Sequence, residues 1–569
     1  MFLPFFYVQN TFTSLVKPPV YVSENEITVL DSAPRSRVAG VVPHHLLASD
    51  MIDDFFRTIL FEQPDTVVIL SPNHFGVSKY LLASILQNDY FDFSIDTSLR
   101  SKIDSGMSDY VFGFNDELLS NEHGVTALMS YVATFAPDSK ILPIVISASA
   151  DEAILGQLAY VLNKNSPENT LVVASTDFSH YLPLLAADLH DATSISVLQN
   201  FEKESFRNLE VDCWQCLYAT SLFARLRKAK EIDFIGHDNS ARLLKAPDLE
   251  ETTSYVSMIF SRGGNISSSH PVTLLAVGDV MLGRFVETLA GRHGEDYSFE
   301  YIDQFLRGVD SVFGNLEGPI AEHHSKTPDF STVFSFQANV AKLLKKHFFE
   351  VVSLANNHML DQRFQGLSDT KKYLDDVDID YFGDPATLDT SSVLFEEKRG
   401  QKIAFVGFHA TKPFFEVDKA NVVVAQAAKD DQRFVIVSIH FGQEYQLQSN
   451  DFQRGLARGF IDRGADVVIG HHPHVVQDIE RYNGRLVFYS LGNFIFDQYF
   501  SKDTQEGLAV GMELDDEEVI YRLYPLESVR SQVKLMPQSR VPQWLNGLAE
   551  RSDQALREDI RRGVIRVER

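Results

Sequence analysis

Short runs of consecutive Val, Ile and Leu residues recur along the chain, and polar residues follow many of them directly. Because nearly every position in these runs is apolar, they predict strands buried on both faces of a sheet. The stretches between them, such as 49–63 and 452–465, carry apolar residues at helical spacing. Strands that alternate with helices predict an α/β protein. The runs lie at 38–42, 65–70, 140–146, 170–175, 272–279, 309–318, 350–358, 401–408, 433–442, 465–474 and 485–494.

One break in composition divides the chain. Residues 261–271 read SRGGNISSSHP, a Gly- and Ser-rich stretch typical of a linker. We therefore predict two α/β domains, over 1–262 and 272–528, joined by a linker at 263–271. Residues 529–569 combine helix formers with mixed charge, which predicts a helical tail on the surface.

The formal net charge is −27, which excludes a non-specific nucleic-acid binder and argues against docking on anionic lipid. No stretch approaches the roughly 18 apolar residues of a transmembrane helix, so none is predicted. The first ten residues, MFLPFFYVQN, lack a basic region, and we interpret them as a packed strand rather than a signal peptide. A cytoplasmic location is expected, or an envelope-facing one if the sequence is incomplete at its start.

In the second half, residues that bind metals follow five apolar runs. Carboxylate, carboxamide and imidazole groups that converge from several strand ends suit a hard or borderline cation. His472 and His474 lie two apart in an extended segment, so their side chains point the same way. A carboxylate that bridges two ions and a histidine that protonates the leaving oxygen would form a hydrolytic site, with His358 as the candidate proton donor. The clusters are Gly278-Asp279, 315–318, 356–358, 439–442 and 470–474.

These clusters lie in motifs that resemble the CapA family of poly-gamma-glutamate capsule synthesis proteins: GDVMLGR, NLEGP, LANNHMLD, HFGQEY, IGHHPHVVQ and YSLGNFIFDQ. The resemblance spans about 272–525 and implies a calcineurin-like metallophosphoesterase fold, a four-layer α/β sandwich. It also implies Mn, Fe or Zn ions, a catalytic role for His358, and Asn315 and Asn493 in the cleft. The implied metal ligands are Asp279, Glu317, Asn357, His440, His472 and His474.

Two positions depart from the wider phosphoesterase pattern. Met281 stands where the first motif usually has a histidine, and Glu317 replaces the usual bridging aspartate. Either change alters the ligand set of one metal position, so the fold alone does not establish phosphoester hydrolysis.

The first half has its own polar clusters after apolar runs, at 43–45, 71–74, 122–123, 176–180 and Cys213. His44, His74 and Cys213 predict a three-ligand site for Fe, Cu or Zn that leaves positions open for a substrate. Asp177 and His180 would supply acid–base or supporting groups. Hydrogen-bonded structural histidines at a cleft are the alternative.

This half resembles the Memo family, whose prokaryotic members are called AmmeMemoRadiSam system protein B. The resemblance spans about 38–260 and rests on GVVPHH, TVVILSPNHFG, NEHGVTALMSYVATF, LVVASTDFSHY, CWQCLYATSLFARL and TTSYVSMIF. It implies the fold of class III extradiol ring-cleavage dioxygenases and a radical SAM protein as partner. His44, His74 and Cys213 match metal-ligand positions, and the implied cleft residues are Glu122, His123, Asp177 and His180.

The two cysteines, Cys213 and Cys216, form a CxxC pair, which rules out a disulfide-stapled scaffold. Such a pair fits a redox couple, half of a zinc site, one metal thiolate, or two buried small side chains. We favour a metal thiolate at Cys213 and a buried side chain at Cys216. Trp214 follows Cys213 where the Memo family usually has Gly, and PHHLLAS replaces the usual PHAGY, so the pocket should differ in shape.

Three functional hypotheses follow. The leading one is a metal-dependent hydrolase or transferase in the second half that acts on an anionic polymer or a phosphorylated small molecule in cell-envelope polymer synthesis. The second is a non-catalytic polymer-assembly factor. The third is an iron- or copper-dependent oxidoreductase in the first half.

Overall fold

The computed structural model describes residues 37–59, 62–76, 78–86, 93–108, 111–263, 271–411 and 414–569. The predicted strand over the first ten residues and most of the predicted linker lie outside these ranges. Strands and helices alternate through both halves, so the predicted α/β class is confirmed.

The described residues of the first half form nine strands and eight α-helices. The strands are β1 (Arg37–Val42), β2 (Thr66–Pro72), β3 (Leu82–Ser84), β4 (Phe112–Phe114), β5 (Lys140–Ile146), β6 (Thr170–Ser175), β7 (His180–Leu182), β8 (Glu231–Asn239) and β9 (Thr252–Ser261). The helices are α1 (Ser49–Ile59), α2 (Thr97–Gly106), α3 (Asp116–Asn121), α4 (His123–Phe135), α5 (Glu152–Asn165), α6 (Leu184–Asn200), α7 (Trp214–Leu226) and α8 (Ser240–Leu243).

These strands form one mixed sheet in the order β4-β3-β5-β2-β6-β1-β9-β7, with β8 paired to β9. Its centre is parallel: β2 pairs with β5 and β6, and β6 pairs with β1. Every residue of β2 and β6 is buried, as the continuous apolar runs predict. Because parallel strands end at the same edge, the loops after β1, β2 and β6 lie side by side.

In the second half, fifteen strands and eight α-helices lie within the described ranges. The strands are β10 (Val272–Val280), β11 (Ser311–Leu316), β12 (Phe349–Ser353), β13 (Asp380–Phe382), β14 (Leu394–Lys398), β15 (Gln401–His409), β16 (Arg433–His440), β17 (Val467–His471), β18 (Ile479–Tyr482), β19 (Arg485–Phe488), β20 (Asn493–Ile495), β21 (Glu506–Leu514), β22 (Glu518–Val529), β23 (Gln532–Leu535) and β24 (Val564–Glu568). The helices are α9 (Arg284–His293), α10 (Asp303–Arg307), α11 (Val340–Lys346), α12 (Arg363–Asp375), α13 (Val417–Ala427), α14 (Asp451–Ile461), α15 (Val541–Arg551) and α16 (Arg557–Arg562).

Two mixed sheets face each other in this half. One runs β13-β12-β11-β10-β21-β22-β23, with β20 on β10 and β24 on β22, and the other runs β14-β15-β16-β17-β19-β18. Alternate residues of β10 face opposite sides: Leu274 and Ala276 join the core between the sheets, whereas Leu275 and Val277 pack under α9–α12. On the outer face of the second sheet, α13 and α14 cover Ala404 and Val435.

Residues 529–569, predicted as a helical tail, contain the helices α15 and α16 and also the strands β23 and β24. Residues 564–568 form β24, which pairs antiparallel with β22. Leu545 and Leu548 of α15, together with Ile565, are buried in the core between the sheets. The charged residues of this segment favour the prediction of a surface helix. They also flank the short strand β24, in which Ile565 and Val567 face inward and Arg566 faces solvent.

The two halves share a hydrophobic core. Leu182 of β7, together with Ala186 and Leu189 of α6, belongs to one buried cluster with residues of β10 and α9–α12. Polar contacts reinforce this boundary, since Thr193 hydrogen-bonds Thr273 through their side-chain oxygens at 2.6 Å. The halves are therefore packed as one unit rather than separated by a free linker.

At 17 residues, α6 is long among these helices. None of the helices in the described ranges combines the length and apolar character required to cross a lipid bilayer.

The shared core predicts cooperative unfolding of the two halves. Leu189→Ala should cost about 2–5 kcal/mol and split the thermal transition in two, because the cavity opens at the boundary. Leu158→Ala is the matched control, since Leu158 is equally buried but packs within the first half alone. Differential scanning calorimetry measures both; identical profiles for the two variants would contradict the shared core.

The position of β24 predicts a contrast between adjacent residues. Ile565→Ala should lower the free energy of unfolding by about 2–5 kcal/mol, because the side chain is fully buried. Arg566→Ala, which removes an exposed ion pair with Glu518, should change it by less than about 1 kcal/mol. Urea denaturation checks the difference; a small effect of both variants would mean that the end of the chain is loosely attached.

Candidate metal centres

In the second half, six chain segments meet at one edge of the paired sheets. Asp279 near the end of β10 lies in register with Asn315 of β11 on one side and Asn493 of β20 on the other. In the facing sheet, His440 at the end of β16 pairs with His471 at the end of β17. The polar residues that follow buried strands are thus brought together from both sheets.

Two glycines allow the backbone segments that carry these residues to pack closely against one another. A Cβ at Gly278 would lie 2.0 Å from the carbonyl oxygen of Gly492, and one at Gly470 would lie 2.0 Å from that of Tyr489. Any larger residue at these positions would push the segments apart, so both glycines are required for the geometry of the site.

Asp279 is the centre of this arrangement and is fully buried. Its Oδ1 accepts a hydrogen bond from Asn315 Nδ2 at 2.8 Å and lies 3.4 Å from His471 Nδ1. Its Oδ2 accepts the backbone N–H of His472 at 3.3 Å and lies 3.4 Å from His474 Nδ1. Burial opposes ionisation, but the contacts with His471 and His474 hold the pKa of Asp279 well below its usual range.

Glu317 is equally buried, and neither of its carboxylate oxygens has a hydrogen-bond partner. His358 Nε2 and His474 Nε2 each lie 3.8 Å from Glu317 Oε1. Burial, followed by the charge of Asp279, raises the pKa of Glu317 well above its usual range. A bare carboxylate in such a position is costly unless a cation compensates it.

Other ligand-type atoms in this cluster are also buried without a hydrogen-bond partner. They are Asn357 Oδ1, His440 Nε2, His471 Nε2 and His472 Nδ1. Buried polar atoms in native proteins are almost always paired, so several unpaired oxygen and nitrogen ligands at one place fit a bound cation. Two groups have their ligand atoms within 4.8 Å of one another: Asp279, Glu317 and His440, and Glu444, His472 and His474.

The imidazoles are held so that one nitrogen remains free. Asn315 Nδ2 lies 3.2 Å from His440 Nδ1, and Asn493 Oδ1 lies 3.0 Å from His474 Nδ1, so the Nε2 atoms of both rings face the cluster. Burial, followed by the neighbouring His474, lowers the pKa of His472 to about 4, which keeps the ring neutral, as a metal ligand must be. Supporting contacts of this kind typically orient metal-binding histidines.

His358 lies at the edge of the cluster rather than inside it. Its Nδ1 lies 2.8 Å from Asp361 Oδ2, and its ring stacks on Phe334 with centroids 3.9 Å apart. The free Nε2 therefore points toward Glu317. This places the predicted proton donor beside the candidate metal ligands, with a carboxylate that fixes its tautomer.

Sequence reasoning missed three residues of this site. Asp361, Glu444 and His471 all lie inside the motifs of the second half, at spacings that connect them to assigned residues, but none received a role. Met281 is fully buried in the core, and its sulfur accepts the backbone N–H of Gly283 at 3.2 Å. It thus provides no replacement for the histidine of the wider pattern.

In the first half, the structure brings three histidines together. The ligand nitrogens of His44, His74 and His123 lie within 4.8 Å of one another, and the rings of His74 and His123 stack with centroids 3.9 Å apart. Glu122 caps α4 and lies 2.6 Å from His74 Nδ1 through its Oε1. Although burial opposes it, hydrogen bonds to Asp212 and Glu122 raise the pKa of His74 to about 9.

Two carboxylates complete this cluster. Asp177 is buried, and its Oδ1 accepts the backbone N–H of His44 at 3.1 Å. Asp212, which has no sequence signal beyond its place before Cys213, lies with His44 and Asp177 in a group of ligand atoms within 4.8 Å. Among the described residues, His180 joins none of these ligand groups; its backbone carbonyl accepts a hydrogen bond from Gln304 Nε2 at 2.7 Å.

The predicted thiolate at Cys213 is contradicted by a disulfide between Cys213 and Cys216. A sulfur bonded to another sulfur carries no thiolate charge and is not a metal ligand of the predicted type. The interpretation of Cys216 as a merely buried residue is corrected by the same bond. Cys213 is the N-cap of α7, and this turn brings the two side chains of a CxxC pair together.

The two halves of the chain match different family models. The bacterial capsule synthesis protein PGA_cap family model matches residues 273–498, and the Memo-like protein family model matches residues 26–257.

Individual relatives match each half. The chain is 34% identical over 275 residues to the capsule biosynthesis protein CapA of Bacillus anthracis, covering 45% of this chain and 67% of that protein. It is 35% identical over 247 residues to the PGA biosynthesis protein CapA of Bacillus subtilis, covering 41% and 65%. A MEMO1 family protein of Aquifex aeolicus is 26% identical over 237 residues, covering 39% and 85%.

The chain thus spans about two thirds of the length of the two CapA relatives. By its second half the chain belongs to the CapA family of capsule synthesis proteins, and its first half matches the Memo-like protein family model.

Proposed function

We propose that the second half is a divalent-metal-dependent hydrolase or transferase that acts in the synthesis of a capsule polymer such as poly-gamma-glutamate. The observation that carries this proposal is the set of buried ligand atoms without hydrogen-bond partners around Asp279 and Glu317. The helix-covered pair of sheets that presents them supports a calcineurin-like four-layer arrangement.

The residues fit two adjacent cations. Asp279 belongs to the first group, and its Oδ2 lies 3.4 Å from Nδ1 of His474 in the second. It is therefore the candidate bridging carboxylate, while Glu317 and His440 would hold one ion and His472, His474 and Glu444 the other. Divalent ions bound there would supply Lewis-acid polarisation of the scissile bond.

His358 is the candidate general acid. Asp361 engages its Nδ1, so its Nε2 is free to hold a proton and pass it to the oxygen or nitrogen of a leaving group. Stacking on Phe334 restricts rotation of the ring and keeps Nε2 directed at the ligand cluster. The roles match a phosphoester or an amide-type bond, because both need a protonated leaving group.

The substrate should be anionic. Arg284 lies with its guanidinium 4.8 Å from the centroid of Phe334 and 5.4 Å from that of Phe496, next to the ring that stacks on His358. Asp497 pairs with Arg284 and fixes its position. In a chain with a net charge of −27, the bound cations would provide the local positive field that an anionic polymer precursor needs, with the Arg284–Asp497 pair at the edge of the site.

Removal of ligand histidines should empty the site. In the full-length chain, which is required because the halves share a core, His440→Ala and His474→Ala should each lower the bound metal from about two equivalents in this half. His347→Ala is the matched control, since His347 is buried in the same half but pairs with Asp303 and Asp296. Elemental analysis after anaerobic loading with Mn²⁺ measures the content; equal metal in all variants would refute the site.

Loss of the proton donor should abolish turnover and leave metal binding intact. His358→Ala should slow hydrolysis by about 10²–10⁴-fold, and Asp361→Asn by less, because it only orients the ring. A 2′,3′-cyclic nucleotide, whose leaving alkoxide needs a proton, and γ-glutamyl-p-nitroanilide report the two bond classes. If the metal-loaded wild-type protein cleaves neither probe but still binds poly-gamma-glutamate, the second half is an assembly factor and the catalytic proposal fails.

A further inference from the structure

We propose that Asp212 is the third protein ligand of a metal site with His44 and His74, in place of the adjacent cysteine. The site would then be a two-histidine, one-carboxylate centre, a ligand set that suits a ferrous ion with open coordination positions. This inference concerns the first half and does not rest on the function proposed for the second.

The distances place the three side chains around one point. Asp212 Oδ2 lies 3.4 Å from His44 Nε2 and 3.7 Å from His74 Nε2. Ligands bound about 2.1 Å from a shared ion are separated by about 3–3.7 Å from one another, depending on the geometry. Asp212 Oδ2 therefore already stands at ligand spacing from both imidazoles.

Both rings are oriented for this role. His44 Nδ1 lies 3.2 Å from the hydroxyl of Ser175, and His74 Nδ1 lies 2.6 Å from Glu122 Oε1. Each ring is thus held by its Nδ1, which leaves the two Nε2 atoms facing Asp212. Ligand histidines in metal sites are fixed in this way by a hydroxyl, carbonyl or carboxylate on the other nitrogen.

Asp212 is held in position by a hydrogen bond to one carboxylate oxygen, whereas the other oxygen has no hydrogen-bond partner. Its Oδ2 accepts the backbone N–H of Asp177 at 3.2 Å, which holds the carboxylate toward the histidines. Its Oδ1 is buried and has no hydrogen-bond partner. The oxygen beside the two imidazole nitrogens is Oδ2, and a divalent cation bound there would compensate the charge of this part-buried carboxylate.

The opposite side of the centre is open. His123 stacks on His74, and about half of its side chain is exposed. Three protein ligands leave coordination positions free, and this exposed side is where a small polar substrate would enter.

The sulfur of Cys213 takes part in a disulfide bond. Its sulfur is bonded to Cys216 and accepts the backbone N–H of that residue at 3.1 Å, within the first turn of α7. A carboxylate in place of a thiolate makes the site harder, which favours iron over softer ions such as Cu(I).

The test uses Co²⁺ as a spectroscopic probe of the full-length chain, in a His440→Ala, His474→Ala background that removes ligands of the second half. Asp212→Asn should weaken Co²⁺ binding at least about 10-fold. Cys213→Ser should leave binding unchanged, and no near-ultraviolet thiolate-to-Co²⁺ charge-transfer band should appear with or without a reductant. Glu168→Gln is the matched control, since this carboxylate of the first half pairs with Arg262 rather than with the histidines.

Three results would overturn the proposal: a charge-transfer band in the chain with Asp212 present, loss of binding in Cys213→Ser, or normal binding in Asp212→Asn. The charge-transfer measurement needs no change at Asp212, so it decides the question even if that variant folds poorly, which circular dichroism would reveal. Because every variant is compared in one background, residual metal in the second half would not alter the result.

Discussion

The burial of two carboxylates at one edge of the paired sheets is the constraint on which the second half depends. Asp279 and Glu317 are both fully withdrawn from solvent, and the charge of the first raises the pKa of the second. Two such groups cannot both be ionised in a medium of low dielectric constant without compensating positive charge. Although burial opposes it, Glu317 and Asp279 raise the pKa of His474 to about 9, so this ring supplies part of the compensating charge. Bound cations would supply further positive charge at the unpaired ligand atoms, and the glycine contacts hold the segments in that arrangement.

Because the two halves share a core, their two candidate metal centres belong to one folded unit. Leu189 packs against the second half although it belongs to the first, and His190 Nε2 lies 3.0 Å from the backbone oxygen of Phe305. Arg399 of the second half also pairs with Glu202 of the first. Burying a helix face between the halves excludes independent motion of the kind that a flexible linker alone would allow. A fragment that begins at the composition break would expose this apolar surface, so measurements belong on the complete chain.

Much of this structure could be predicted from the sequence. Continuous apolar runs indicate buried strands, and the polar residues that follow them indicate the edge of the sheets where the candidate ligands meet. Asp279, Glu317, His440 and His474 were all found in this way, and the structure brings them together. What failed depends on contacts between distant segments. Asp212 has no local signal, since only the fold sets it beside His44 and His74, 168 and 138 residues earlier in the chain. Similarly, β24 is too short and too charged to be recognised without its partner β22.

The two halves also meet near the loop that carries Asp212. Gln304 Nε2, from the second half, donates to the backbone oxygen of His180 at 2.7 Å and to Glu210 Oε1 at 2.8 Å. These two residues lie on the loops that carry Asp177 and Asp212. The side-chain amide of Gln304 thus hydrogen-bonds next to both carboxylates of the first centre. Because Gln304 lies in α10, a displacement of this helix would alter both hydrogen bonds. Positioning of this kind needs the second half to be folded against the first, which gives the fusion of the two domains a structural reason beyond proximity.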